Sequence, residues 1–322
     1  DGTNLNLRYQ NNTIIADSLF GIKYNLATSN PNKYGFSLSQ SLDTISLYEN
    51  SFSQGLAILT DGVYKDVKFT NLTLDNQTNF LNQLTGVSQK YYYSLKDIES
   101  ENTVELGNRM TVNKVETEDA AKATFIVAIP ANSQVYLNLP NITFSNENQK
   151  RIIITVNNQS SEFTIDNAFS FFNIGNFSTD TVAQIEVYFP ENNQVSFDLP
   201  QFYRLDLLAF QQAVSILQEK NIDTRADGNR VTVNFETSKE ASILLTLPFD
   251  KGWSATIDGK PVDIQKAQNG FMKVNVEPGQ TKLVLTFIPQ GFYVGLLISF
   301  GAIFVFCTYQ FLRFYYLKNR EK

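Results

Sequence analysis

The chain has 322 residues and a net charge of −6, and it contains no His and a single Cys, Cys307. These facts exclude Ser-His-Asp and Cys-His catalysis, His-ligated metals, Cys-rich zinc sites and a disulfide framework. An acidic body without clustered Lys and Arg also excludes nucleic acid as a partner.

Charged residues make up only 18% of the chain, below the roughly 25% usual for soluble proteins. The 26 Phe and 15 Tyr favour strands, because aromatic rings pack well on pleated surfaces. In chain order, Ile14 to Tyr24 reads as a short helix or turn followed by a strand. Leu42 to Glu49 and Leu56 to Thr60 read as strands. Asp75 or Asn76 is placed to cap a short helix carrying Phe80, Leu81 and Leu84, with Gly86 just past its end. Residues 1–118 are therefore expected to form a mixed α/β part.

From Lys122 the pattern turns to period-two alternation, which marks strands with one buried face. Phe125, Val127 and Ile129 alternate; so do Ile152, Ile154 and Val156, and Ile185, Val187 and Phe189. A helix is expected at about 203–220, where Leu205, Leu208, Ala209, Gln212, Ile216 and Leu217 nearly follow a helical stripe. Strands resume at Val231, Val233 and Phe235 and at Ile243 to Leu247. A hairpin ladder with turns at Asp258-Gly259, Asn269-Gly270 and Pro278-Gly279 comes next. Residues 119–290 are thus read as a β-sandwich or jelly roll with one inserted helix. The fold class is mainly β, with an α/β N-terminal part and one C-terminal transmembrane helix.

Phe292 to Leu312 has no charged residue and is long enough to cross about 30 Å of hydrocarbon. Residues 291–312 are read as that span. Tyr309, Tyr315 and Tyr316 suit an interfacial belt, and the tail 313–322 holds Arg313, Lys318, Arg320 and Lys322 against Glu321 alone. The Lys/Arg excess predicts a cytoplasmic C-terminus and an extracytoplasmic body. Gly291 and Gly295 have GxxxG spacing, a weak helix-packing signal. The chain opens at Asp1 without an initiator Met or a signal peptide, so further spans or a signal are expected upstream.

The run Leu247-Pro248-Phe249-Asp250-Lys251-Gly252-Trp253-Ser254-Ala255-Thr256-Ile257-Asp258-Gly259-Lys260-Pro261-Val262 resembles the C-terminal region of YfhO-type bacterial membrane proteins. So do Asn269-Gly270-Phe271-Met272 and the ending Phe287-Ile288-Pro289-Gln290-Gly291-Phe292. Leu19 to Tyr24, Leu47-Tyr48-Glu49-Asn50 and Leu84-Thr85-Gly86 resemble further landmarks in the same order. The resemblance implies a multi-spanning glycosyltransferase that uses a polyprenyl-phosphate sugar to decorate wall polymers such as teichoic acids in Gram-positive bacteria. Catalytic acids are then expected in the parent protein, upstream of this chain, and none is assigned here. No cofactor is assigned to the chain either. The implied partners are the lipid bilayer, the upstream membrane bundle and a wall polymer or other carbohydrate.

Candidate ligand contacts are few, and each has a plainer reading. Trp253, the sole Trp, offers a flat face to a sugar or simply packs at the head of a hairpin. Asp258 and Lys260 flank a glycine, and turn chemistry alone accounts for them. Glu116, Glu118 and Asp119 read as a solvated linker rather than the separated carboxyl pair that glycosidases need. Asp223, Arg225, Asp227 and Gly228 do not make a calcium loop, because Arg225 sits at a ligand position and Asn234 replaces the closing Glu. Sequons at Asn11, Asn71, Asn76, Asn141, Asn158 and Asn176 are read as products of an Asn-rich composition. The leading expectation is an accessory, acceptor-positioning region of a membrane glycosyltransferase. The alternative is a membrane-anchored surface binding or adhesion module without catalysis.

Overall fold

A computed structural model describes residues 13–116, 118–165 and 171–320. The Asn11 sequon and the tail residues Glu321 and Lys322 lie outside the described residues. The chain is mostly β, and every strand pair in the six sheets is antiparallel. Among the described residues, four helices punctuate the strands: α1 (Ile14–Leu19), α2 (Thr73–Thr85), α3 (Leu207–Gln218) and α4 (Phe292–Arg320).

Three apolar cores organise the body. The first lies among three sheets built from residues 92–206. Its longest strands, Ala121–Ile129 and Thr181–Phe189, pair along their full length. Their inward residues Phe125, Val127, Ile185, Val187 and Phe189 are the alternating set that the sequence displays, and all are fully buried. Burying each such side chain contributes about 1.5–3 kcal/mol. The sheets cross residue 118: strand Glu99–Glu101 pairs with Ala121–Ile129, and Arg109–Asn113 pairs with Gln194–Asp198.

The second sandwich holds a five-stranded sheet in the order 222–227, 230–235, 282–287, 253–257, 260–262. Facing it is a four-stranded sheet in the order 265–267, 271–276, 241–245, 57–59. One of its strands, Ala57–Leu59, comes from the N-terminal part and pairs with Ala241–Leu245. Asp258-Gly259 forms the expected hairpin turn, with φ of +48° and +81°. Pro278-Gly279 instead carries the chain from one sheet to the other, because strands 271–276 and 282–287 do not pair.

The third core gathers α1, α2 and α3 around Tyr64, Tyr91, Tyr92 and Tyr136. Here the observed elements depart from expectation in three places. The helix expected from residue 203 begins at Leu207, because Gln201–Asp206 pairs as a strand with Ser133–Asn138. Asp206 then caps α3 by accepting from Ala209 N at 3.1 Å. Helix α2 starts before Asp75, and Asn76 turns its side chain to the backbone of Thr70 instead of capping. Gly86 does close α2, in the left-handed region at φ +73°. Residues 36–50 form a hairpin, Phe36–Leu42 with Ile45–Asn50, rather than one strand at 42–49.

Helix α4 stands apart from all three cores. Its segment Phe292–Tyr316 has a mean hydropathy of 2.0 and rises about 38 Å at 1.5 Å per residue. Leu297 and Phe304 are 72% and 73% exposed. Large apolar side chains displayed on all sides are unfavourable in water and suit hydrocarbon. Gly291 lies before the helix with φ +82°, so Gly291 and Gly295 do not form a helix-packing pair.

Candidate functional site

The three predicted contact residues do not converge. Trp253 opens strand Trp253–Ile257 and packs against Phe287, with ring centroids 5.0 Å apart. Asp258 and Lys260 lie at the opposite end of that strand. The Asp258 carboxylate is occupied within the fold. It accepts from Thr281 N at 3.2 Å, Thr281 Oγ1 at 3.0 Å and Lys282 N at 3.0 Å. The Lys260 side chain is exposed on an edge strand. Glu118 pairs with Lys122 at 3.4 Å, and Lys122 reaches Glu186 at the same distance. Asp223 and Asp227 sit on a regular hairpin strand opposite Asn234 and Arg230, not in a loop. Among the described residues, no group of three or more His, Cys, Asp or Glu is placed to hold a metal ion.

A groove of about 640 Å³ opens elsewhere, between strand Tyr24–Ala27 with its following loop and strand Gln159–Thr164. A narrower pocket of about 140 Å³ shares Ser29, Asn30, Pro31, Ser160, Ser161 and Asn173 with it. Both flanking strands are sheet edges among the described residues. Tyr24–Ala27 pairs with Ile45–Asn50, and Gln159–Thr164 pairs with Arg151–Val156. The two segments are more than 130 residues apart in the chain, so only the tertiary fold creates the groove.

Its walls alternate polar and apolar chemistry. Asn25 and Asn30 supply amides, and Thr28, Ser29, Ser160 and Ser161 supply hydroxyls; the Asn173 amide is held within the fold. Leu26, Pro31, Ile45 and Phe163 supply apolar patches. The two charged lining residues are both paired. Lys33 Nζ lies 2.9 Å from Asp17 Oδ2, with side chains only 7% and 1% exposed. Glu162 lies 3.0 Å from Arg151 Nε. Amides and hydroxyls both donate and accept, so the groove suits a neutral, hydroxyl-rich ligand with apolar C–H faces.

The loop wall is fixed from below. Gln134, fully buried, accepts from Tyr34 N at 2.8 Å and donates to Asn32 O at 3.2 Å and to Asn173 Oδ1 at 2.5 Å. Asn173 Nδ2 donates in turn to Pro31 O at 2.7 Å. Gly175, at φ +139°, lets the Asn32 amide approach, because a Cβ there would collide with it. The Tyr34 hydroxyl also meets Gln211 of α3, which ties the loop to the helical core.

That core carries its own polar layer. Ile14 N donates to Tyr136 Oη at 3.0 Å, and Thr13 and Tyr92 both donate to Gln77 Oε1 at 2.6 Å. Burial pushes the Tyr91 hydroxyl up to about 12 and raises Tyr64, Tyr92 and Tyr136 as well. Beside it, burial lowers Lys220 despite Asp61 at 3.4 Å. Burial works to raise Asp61, yet Lys239 at 3.0 Å and Lys220 together hold it below the usual carboxylate value. These groups lock loop 60–62 to the ends of α3 and strand 241–245. None lines the groove.

A family model described as bacterial membrane protein YfhO matches residues 1–299. The chain belongs to this family. Family membership and helix α4 together make it a membrane-associated protein. An uncharacterized YfhO of Bacillus subtilis (strain 168) is 29% identical over 138 residues. That alignment covers 40% of this chain and 16% of the relative, so the chain spans a small part of the length of the YfhO protein it matches. Among solved structures, a family two carbohydrate esterase from Cellvibrio japonicus gives a TM-score of 0.24 at 15% identity, covering 36% of this chain and 32% of that one. A conserved protein of unknown function from Pseudomonas aeruginosa PAO1 gives 0.17 at 9%, covering 61% and 92%. Values this low carry no argument about fold or activity.

Proposed function

We propose that this region positions the acceptor for a membrane glycosyltransferase of the YfhO family. The body stands outside the cytoplasm, and the basic C-terminal end of α4 lies inside. The sugar donor is a polyprenyl-phosphate sugar, and the acceptor is a wall polymer of the teichoic acid type. Catalysis belongs to other parts of the longer protein, and this chain contributes binding and orientation.

The observation that carries this reading is the groove. Its amides, hydroxyls and apolar patches match the mixed surface of a saccharide or polyol. Its charged residues are already paired, so it would read the hydroxyls of the polymer and leave the phosphates in solvent. The basic tail supports the orientation through the positive-inside rule.

The test is binding of purified teichoic acid to the 322-residue chain in detergent, compared with an Asn25→Ala/Ser161→Trp variant that fills the groove. The reading predicts measurable binding that the variant loses while its thermal transition is kept. Equal binding by both would refute the groove as the acceptor site. The competing reading, a tethered surface module without enzymatic context, also accommodates a binding groove. It parts from this one in predicting no change in wall glycosylation when the gene is deleted.

A further inference from the structure

We infer that the rim of the second sandwich from which α4 departs rests in the headgroup layer of the bilayer, with Trp253 inside that layer. The inference concerns the docking of this rim and is independent of what the groove binds.

The connection between sheet and helix is short and hydrogen-bonded. Strand Lys282–Phe287 ends with Phe287 N donating to Asn229 O at 2.8 Å, and Asn229 Nδ2 donates back to Phe287 O at 2.9 Å. Ile288 N then donates to Gly252 O at 2.9 Å, and Phe292 N donates to Pro289 O at 3.1 Å, closing a turn. Only residues 288–291 separate strand from helix. Fully extended they reach about 14 Å, and the turn shortens this. The headgroup region adds roughly 5–8 Å on each side of the hydrocarbon. A rim tied this closely to α4 has no slack with which to stand off from the membrane.

The same rim gathers aromatic side chains. Trp253 pairs with Phe287 at 5.0 Å. The loop between strands 241–245 and 253–257 carries Phe249, whose N–H donates to Gly270 O at 2.7 Å. That bond places the loop beside Phe271, which meets Phe20 at 5.8 Å. All five rings are partly exposed rather than buried. Half-exposed aromatics around the root of a membrane helix suit the interface, where one edge of a ring is wet and the other is not.

The occupant follows from continuity with α4, and the assay follows from Trp253 being the only Trp. The 322-residue chain is reconstituted into phosphatidylcholine vesicles that contain lipid spin-labelled either at the headgroup or at mid-acyl depth. Trp253 should lose the greater part of its emission to the headgroup label, less to the mid-acyl label, and little to aqueous iodide. A Trp253→Phe/Lys260→Trp chain moves the probe to the neighbouring edge strand, opposite Ile257 at the far end of strand Trp253–Ile257, about 14 Å away. There iodide should quench and the labelled lipid should not. Three results would overturn the inference. One is Trp253 quenched by iodide but not by labelled lipid. Another is Trp253 protected from both. The last is equal lipid quenching at positions 253 and 260, which would mean that the sandwich lies flat.

Discussion

Replacing Gln134 by alanine tests how the groove is built. The side chain is fully buried, and its amide satisfies Tyr34 N, Asn32 O and Asn173 Oδ1 at 2.8, 3.2 and 2.5 Å. Gln134→Ala leaves all three without that partner. An orphaned buried polar group costs about 1–3 kcal/mol. The groove lets water reach these positions, which favours the low end and gives a total of about 3 kcal/mol. That is about a hundredfold in a local opening equilibrium. Three cores in one chain make a single global unfolding energy ill-defined, so the readout must be local. Hydrogen exchange of the peptide containing Tyr34 should accelerate by about two orders of magnitude, while exchange in strand Lys282–Phe287 stays unchanged. An exchange rate at Tyr34 within about threefold of the parent would refute the assignment of Gln134 as the anchor of this loop.

Other perturbations read other parts of the account. Lys33→Met removes the ammonium that lies 2.9 Å from the buried Asp17 carboxylate and should cost about 3 kcal/mol, the low end for breaking a buried pair; a calorimetric transition that does not fall would contradict a buried pair. Asp258→Ala removes three acceptor contacts from an exposed hairpin at positive φ. It should cost about 1 kcal/mol and leave teichoic acid binding intact, which a binding isotherm checks. The buried tyrosines set an alkaline limit. Their folded pKa values lie above the unfolded value near 10, with Tyr91 at about 12. The stability that they contribute is intact below pH 10 and is lost as pH rises through 12. Phenolate absorbance and circular dichroism should therefore change together in that window, and full phenolate titration near pH 10 with the fold intact would contradict it.

What the sequence made legible was local. The alternating strands around Phe125, Ile154 and Val187, the Asp258-Gly259 turn, the Gly86 cap and the apolar run of α4 each announce themselves within about ten residues. The hairpin at 36–50 escaped because its turn, Asp43-Thr44, contains no glycine; Asp43 itself takes φ +50°. The early start expected for α3 reflects Tyr203 and Leu205, which satisfy a helical stripe and a strand face equally. Pairing with Ser133–Asn138 decides the matter. Strand Ala57–Leu59 could not be assigned to the second sandwich from sequence, because its partner lies more than 180 residues away.

The groove was invisible for a related reason. One wall comes from residues 25–33 and the other from 160–163 with Asn173, and neither segment carries a motif. Gln134 is the one signal that sequence reasoning might have used, a long polar side chain beside Val135, Tyr136 and Leu137 in strand Ser133–Asn138. Polar residues are common on strand faces, and only the fold shows that this one points inward. The lone Trp drew attention as a sugar platform. The structure sets it against Phe287 at the root of α4, with Asp258 and Lys260 at the other end of the strand.

The most direct test of the acceptor-positioning account is made in cells that depend on the full-length protein. The chromosomal copy is replaced by one carrying Asn25→Ala and Ser161→Trp in the groove, and sugar on the wall polymer is quantified at matched protein abundance. The account predicts a large loss of polymer glycosylation with the protein still in the membrane. Undiminished glycosylation in that strain would contradict it.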